Sequence, residues 1–357
     1  MKRIVSAAAI VLALGAVTTP ALLTGNGNPR DDPDHGWAED TVFAVTQVRP
    51  GVYFAVGQNG RVVGANSSFI VTDRDVIVVD DHITMRAARA LQGEIRKVTD
   101  KPVRYVVDTH FHYDHTSGNG AFGPEVELLS HPRTRASLIA KGQAAIGDLI
   151  DALPRQIAAA RARRDTTRSD SVRTLLTRQI SEWELNLDEY RNLQVVLPSA
   201  TVDSALVLYR GGGQEVRIFY MGRGHTSGDI VVQLPREHLL IAGDLITNTA
   251  GPPNMMDAYP GEWGATLRRL AQLDFTTTLP GHGLPFEGKE RYGAIADFMD
   301  DFWSQVRTAQ QAGTSREQIT QRINVARFTT LFPGLRNGVS PVWAQRAWDV
   351  SAGNVDR

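Results

Sequence analysis

Four side chains able to bind a metal stand within six positions, His110, His112, Asp114 and His115, in the run Thr-His-Phe-His-Tyr-Asp-His. Two histidines two residues apart cannot share a helix face. At the end of a strand, however, an extended turn points both the same way, and the following bend supplies Asp114 and His115. Three further candidates each lie beside glycine: His225 in Gly-His-Thr-Ser-Gly-Asp, Asp244 in Ala-Gly-Asp-Leu and His282 in Pro-Gly-His-Gly. Taken alone, His225 or His282 is equally a core histidine and Asp244 a turn residue. Their shared context speaks for function, because glycine lets the backbone bend tightly and approach a ligand closely. Five imidazoles and two carboxylates suffice for two first-row metals with positions left open for water. The chain has no cysteine, so thiolate nucleophiles, iron–sulfur clusters and sulfur-ligated zinc are excluded. Two metals about 3.5–4 Å apart can share a water, lower its pKa toward about 7 and so present hydroxide at neutral pH.

Each motif follows a run that reads as a strand. Short apolar segments at 52–56, 68–71 and 76–79 precede a helix at 85–98, with Ala88, Leu91, Ile95 and Val98 on one stripe; the strand 103–107 then delivers His110. Further strands at 205–209 and 216–220 flank Gly211-Gly212-Gly213 and lead to His225, and the pair 230–234 and 239–242 leads to Asp244. A helix near 263–273 and a strand at 276–279 lead to His282. Strands alternating with helices indicate a layered α/β architecture, in which active sites gather at strand ends. The stretch 134–192 differs, being rich in Ala, Arg, Leu and Gln, with Val172, Leu175, Leu176, Ile180, Trp183 and Leu187 on one helical face after an N-cap near Ser169. It reads as two or three inserted helices. Residues 291–357 read as a helical C-terminal extension with a Thr314-x-x-Glu317 capping box.

Composition bounds the partners. Thirty-eight Lys and Arg balance 39 Asp and Glu over 357 residues, so there is no electrostatic case for nucleic acid or an anionic membrane surface. Met1-Lys2-Arg3 followed by an apolar, small-residue run and Pro20-Ala21 reads as a secretory signal peptide over 1–21, with a flexible lead-in over 22–40. A periplasmic or secreted protein is expected, with an uncleaved membrane anchor as the alternative.

The pattern His110-x-His112-x-Asp114-His115, then His225, Asp244 and His282 in their Gly-rich settings, resembles the motifs of the metallo-β-lactamase superfamily in their proper order. Asp80, ending the 76–79 strand, is similar to that family's earlier structural aspartate. The resemblance covers 41–290 and implies a four-layer αββα sandwich: two mixed sheets face to face, helices outside, metals at one edge. It also implies that His110, His112 and His225 hold the first metal, that Asp114, His115 and His282 hold the second, and that Asp244 bridges. Two divalent ions are expected, with zinc favoured in an exported protein and iron or manganese tolerated by nitrogen and oxygen ligands. Asp114, a ligand with a spare oxygen, is the candidate to orient the water or shuttle its proton. Thr109, Thr226 and Asp229 are candidates to orient ligands.

Two departures from the family pattern bear on function. The 110-residue separation of His115 and His225 is long, and the 134–192 insertion accounts for it by overhanging the site or forming an interface, including one between copies of the chain. Asp244 stands where the family's β-lactamases commonly carry Cys or Ser and its thioester, lactone, phosphodiester and sulfate-ester hydrolases carry Asp. The resemblance therefore implies a dinuclear hydrolase of a small ester-like, thioester or lactone substrate. The alternatives are a β-lactamase, a metal-binding protein without turnover, and a di-iron oxidoreductase lacking its electron-carrying domain. Substrate contacts are expected from the loop after Asp244, at Asn248, Asn254 and Tyr259, with Met255 and Met256 nearby; Arg223, Tyr113 and His82 lie within reach.

Overall fold

The computed structural model describes residues 42–58 and 63–355, so the expected leader at 1–21 and lead-in at 22–40 lie outside the described residues. Two mixed β-sheets pack face to face between outer helices. The first contains β1 (Phe43–Arg49), β2 (Val52–Gly57), β3 (Ser67–Val71), β4 (Val76–Val79), β5 (Val103–Val107), β6 (Glu127–Ser130) and β7 (Ala200–Thr201), in that spatial order. It is antiparallel from β1 to β4 and parallel from β4 to β7. The second contains β8 (Ala205–Tyr209), β9 (Glu215–Tyr220), β10 (Ile230–Leu234), β11 (Leu239–Ile241), β12 (Thr277–Leu279) and β13 (Phe286–Glu287), in reverse spatial order, with only β11 and β12 parallel.

The central strands are apolar on both sides because both sides are covered. On β4, Ile77 and Val79 meet Ile218, Val232 and Ile241 of the facing sheet. Val76 and Val78 point outward to Ala87, Leu91 and Ile95 of α1 (Met85–Val98), which Thr84 caps by accepting from the Ala87 N–H. Each fully buried Val, Leu or Ile among these contributes about 1.5–3 kcal/mol. After α2 (Tyr113–Thr116) and α3 (Pro132–Ser137), the chain makes a π-helical turn, Leu138–Gly142, and enters a hairpin of α4 (Gln143–Thr166) and α5 (Asp170–Asn192). Ile146, Leu149, Leu153 and Ile157 of α4 face Leu176, Ile180, Trp183 and Leu187 of α5. The expected stripe is corrected at Leu175, which is 58% exposed; it lies about 100° around the helix from Leu176, and Tyr190 completes the buried face instead.

On the second sheet, Val231 and Leu240 point outward to α6 (Pro260–Leu270) and α7 (Glu290–Gln311), where Trp263, Leu267, Phe298 and Phe302 are fully buried. The final helix, α8 (Pro341–Ala352), buries Ala344 and Ala347 in this layer and is tied by Arg316, whose guanidinium donates to both Asp349 oxygens at 2.8 and 2.9 Å. The Thr314-x-x-Glu317 capping box does not open an α-helix. Thr314 N–H instead closes the end of α7 on Ala309, and only a 3-10 turn, Ile319–Arg322, follows. Among the described residues no helix is long and apolar enough to cross a membrane.

Candidate metal centre

Strand ends from both sheets converge on one rim. β5 runs into His110 and His112, and the single turn of α2 carries Asp114 and His115; β9 leads to His225, β11 to Asp244 and β12 to His282. The rims are stitched together by Ile230 N–H donating to Thr109 O at 2.9 Å and Asn66 N–H to Gly281 O at 2.7 Å. Glycines make the closeness sterically feasible. Gly243 has φ +49° with a Cβ site 2.5 Å from Thr109 Oγ1, and a Cβ on Gly281 would lie 2.1 Å from Asp244 Oδ1.

The ligand atoms of His110, His112 and His225 all lie within 4.8 Å of one another, as do those of His110, His115 and Asp244, and of Asp114, His115 and His282. His112 Nδ1 is 3.1 Å from His110 Nε2 and 2.9 Å from His225 Nε2. Nitrogens held about 2.0–2.1 Å from one tetrahedral ion lie roughly 3.3 Å apart, which this spacing approaches. Asp244 stands between the groups: Oδ1 is 3.6 Å from His115 Nε2, and Oδ2 is 3.5 Å from His225 Nε2 and 3.4 Å from His282 Nε2. Asp114 Oδ2 is 3.2 Å from His282 Nε2 and 3.7 Å from His115 Nε2.

The opposite nitrogen of four imidazoles is fixed by the protein. His115 Nδ1–H donates to Asp80 Oδ2 at 2.8 Å, and His110 Nδ1–H donates to Thr109 Oγ1 at 3.0 Å, whose hydroxyl donates in turn to Asp80 Oδ2 at 2.9 Å. His225 Nδ1–H donates to the Asn254 carbonyl at 2.9 Å, and His112 Nε2–H to Asp257 Oδ2 at 3.2 Å. A pinned N–H fixes which nitrogen faces outward, so the other nitrogen is the one turned into the cluster. His115 Nε2 and Asp244 Oδ1 are buried with no hydrogen-bond partner among the described residues. Buried polar atoms seldom go unsatisfied, and these two face the space a cation would fill, so the donor set fits divalent metal.

The electrostatics match. Burial, reinforced by neighbouring imidazoles, holds His110 well below its ordinary range and His225 at about 3, so both stay neutral. Burial also opposes charge on His115 and His282, yet the carboxylates prevail: Asp114, Asp80 and Asp244 hold His115 well above its usual range, and Asp244 and Asp114 raise His282 to about 10. Asp114 and Asp244 stay ionised despite burial, held below the usual carboxylate range by His115 and His282. The metal-free protein thus carries protons on two candidate ligands at pH 7, which an incoming cation must displace. Zinc uptake at pH 7, followed calorimetrically in two buffers of different ionisation enthalpy, is expected to release protons. Displacing the His282 proton alone should lower affinity by about tenfold for each pH unit below about 10, and the His115 proton adds to that fall. Uptake without proton release would contradict this charge state.

The structure gives the other expected residues varied uses. Thr226 and Asp229 brace the His225 turn, with Thr226 N–H and Oγ1–H both donating to the carboxylate; burial raises Asp229 to about 6. Asn248 N–H donates to His282 O at 2.8 Å and its side chain to Leu284 O at 2.9 Å, fixing the His282 turn. Asn254 contributes its backbone carbonyl, while its side-chain oxygen accepts from Met256 N–H and Trp343 Nε1–H. Tyr259 is buried, with the guanidiniums of Arg223 and Arg346 stacked on its ring at 4.4 and 5.1 Å from the centroid. Arg223 pairs with Glu262. His82 is a core histidine, stacked on Phe43 and bonded to Ser67 Oγ at 2.8 Å, and Tyr113 packs against the inserted hairpin. Two residues escaped the sequence reading. Asp257 holds His112, and Lys141, projecting from the π-helical turn, donates to Asp257 Oδ1 at 2.7 Å. Asp257 had a signal, since it and Glu262 are the only carboxylates between 247 and 262.

A family model described as the metallo-beta-lactamase superfamily matches residues 60–127 and 168–282. Among curated proteins, a metallo-beta-lactamase type 2 of Bacillus cereus is 34% identical over 76 residues, 20% of this chain and 30% of that protein. The protein of the same name from a Bacillus species (strain 170) is 23% identical over 63% of this chain and 69% of its own length. A linear primary-alkylsulfatase of a Pseudomonas species is 24% identical over 60% of this chain and 41% of its own length. The chain therefore spans less than half the length of two of these three relatives. Among solved structures, a metallo-beta-lactamase from Pontibacter korlensis superposes with a TM-score of 0.53 at 18% identity, covering 72% of this chain and 98% of that one.

Proposed function

The chain belongs to the metallo-β-lactamase superfamily, and from that premise we propose that it is a dinuclear metal-dependent hydrolase of a small ester-like, thioester or lactone substrate. The observation that carries the dinuclear reading is Asp244, a buried carboxylate with one oxygen toward His115 and the other toward His225 and His282. His110, His112 and His225 would hold one ion, Asp114, His115 and His282 the other, with Asp244 between them; zinc suits this nitrogen and oxygen set. When bound, such ions supply Lewis-acid activation of water and charge stabilisation at the substrate oxygen.

The remaining work falls to the chain. Asp80, Thr109, Asn254 and Asp257 hold four imidazoles in the required tautomers, so little reorganises when substrate arrives. Asp114 keeps its negative charge beside His115 and His282. A carboxylate this acidic is a weak base, so its role is to orient the attacking water by accepting a hydrogen bond rather than to hold the proton. His282 is 30% exposed and Asp114 20%, which supports substrate entry from the side of this pair.

A β-lactam substrate is the second reading, supported by the names of the Bacillus relatives. Steady-state hydrolysis of an acyl thioester, a lactone and a chromogenic cephalosporin by the metal-loaded protein, repeated after chelation, separates the two. Chelator-sensitive turnover of thioester or lactone alone is the expected result. Turnover of the cephalosporin alone would replace the leading reading with the second, and silence on all three with two metals bound would overturn both.

A further inference from the structure

The segment 254–258 supports two of the three imidazoles in the first cluster without supplying a ligand, through the Asn254 carbonyl on His225 and the Asp257 carboxylate on His112. It is neither helix nor strand. Its internal bonds are Ala258 N–H to Met255 O at 3.3 Å and Met256 N–H to Asn254 Oδ1 at 3.0 Å, and the C-terminal helix α8 adds to them. Trp343 Nε1–H donates at 3.1 Å to Asn254 Oδ1, the same oxygen that accepts Met256 N–H at 3.0 Å and closes the turn. One turn further along the same face, Arg346 Nε–H donates to Ala258 O at 3.0 Å and Nη2–H to Asp257 O at 3.1 Å. The Asp257 backbone is thereby gripped on the carbonyl side while its carboxylate reaches His112 at 3.2 Å, a length with little slack. From the opposite side, Lys141 of the inserted segment holds the other carboxylate oxygen.

We infer that Trp343 and Arg346 are positioning residues for the first metal site, fixing the loop whose Asn254 carbonyl and Asp257 carboxylate orient His225 and His112. The inference rests on the metal reading proposed above. It is selective, because His115 in the second cluster leans on Asp80 and takes no support from this loop.

The test titrates the metal-free, full-length protein with zinc against a chromophoric chelator and records the visible spectrum of the cobalt-loaded form. Trp343→Phe keeps an aromatic ring and removes the donor together with the rest of the indole; Arg346→Ala removes the clamp, and Arg346→Lys restores one donor. Wild type should bind two equivalents. Trp343→Phe and Arg346→Ala should each weaken one equivalent by about tenfold, leave the other unchanged and alter one component of the cobalt spectrum. Arg346→Lys should recover part of the loss. Unchanged affinity at both equivalents, or an equal loss at both, overturns the inference while leaving the metal reading intact. A wild type that binds no metal overturns that reading itself, and the two failures are thus distinguishable. Trp343→Phe keeps the test decisive if Arg346→Ala does not fold.

Discussion

Asp244→Asn is expected to lower kcat on the order of 10³-fold in metal-saturated protein with the fold unchanged. The substitution keeps the shape of the side chain and removes its charge. No other side chain among the described residues faces His115 on one oxygen and His225 and His282 on the other, all within 3.6 Å. Asn cannot present two anionic oxygens, and its amide hydrogens would point at imidazole lone-pair positions or at a cation. Circular dichroism separates a folded, inactive variant from a collapsed one. Turnover within tenfold of wild type would remove Asp244 from the chemistry and with it the dinuclear reading.

Asp80→Ala should cost about 3–5 kcal/mol of stability in the metal-free protein, the cost of leaving one partner of a buried charged network alone. Asp80 is 2% exposed and accepts three bonds, from Thr109 N–H at 2.8 Å, Thr109 Oγ1–H at 2.9 Å and His115 Nδ1–H at 2.8 Å. It also has φ +59°, a conformation Asp and Asn tolerate better than Ala. Asp80→Asn keeps that tolerance and one acceptor oxygen, so it should retain more stability than the alanine variant. Urea unfolding under chelation reads the difference without any contribution from metal. A loss below about 1 kcal/mol for Asp80→Ala would show that the three bonded groups find other partners.

Much of the fold was legible where burial dictates composition. Val76–Val79 is apolar throughout because it lies between a facing sheet and α1, and its reading as a strand required no knowledge of its neighbours. β6 and β13 carry no such mark. Glu127–Ser130 contains no β-branched residue and Phe286–Glu287 has only two residues; they are strands because β5, β7 and β12 offer paired hydrogen bonds. The cluster was legible for a related reason: its seven side chains sit beside strand ends and glycines, both local features. What supports it was not. Asp257 lies 145 residues from His112, and Arg346 lies 88 and 89 residues from the carbonyls it holds, separations that carry no periodic or local trace. The support that Asn254 gives His225 was not legible either, because sequence shows an amide side chain but not what the backbone carbonyl accepts.

The seven converging side chains are divided four and three between the sheets, and the chain contains no cysteine. Cations held there would be fasteners as well as reagents, joining two halves of a sandwich that also adhere at this rim through bonds such as Ile230 N–H to Thr109 O and the Asn66 side chain to Gly283 O. A disulfide fastens two points permanently and depends on the redox state around it. A shared ion fastens several points reversibly and depends on pH and supply. On that view the architecture couples persistence of the folded chain to possession of its reactive centre, so that a molecule stripped of metal becomes both idle and easier to pull apart.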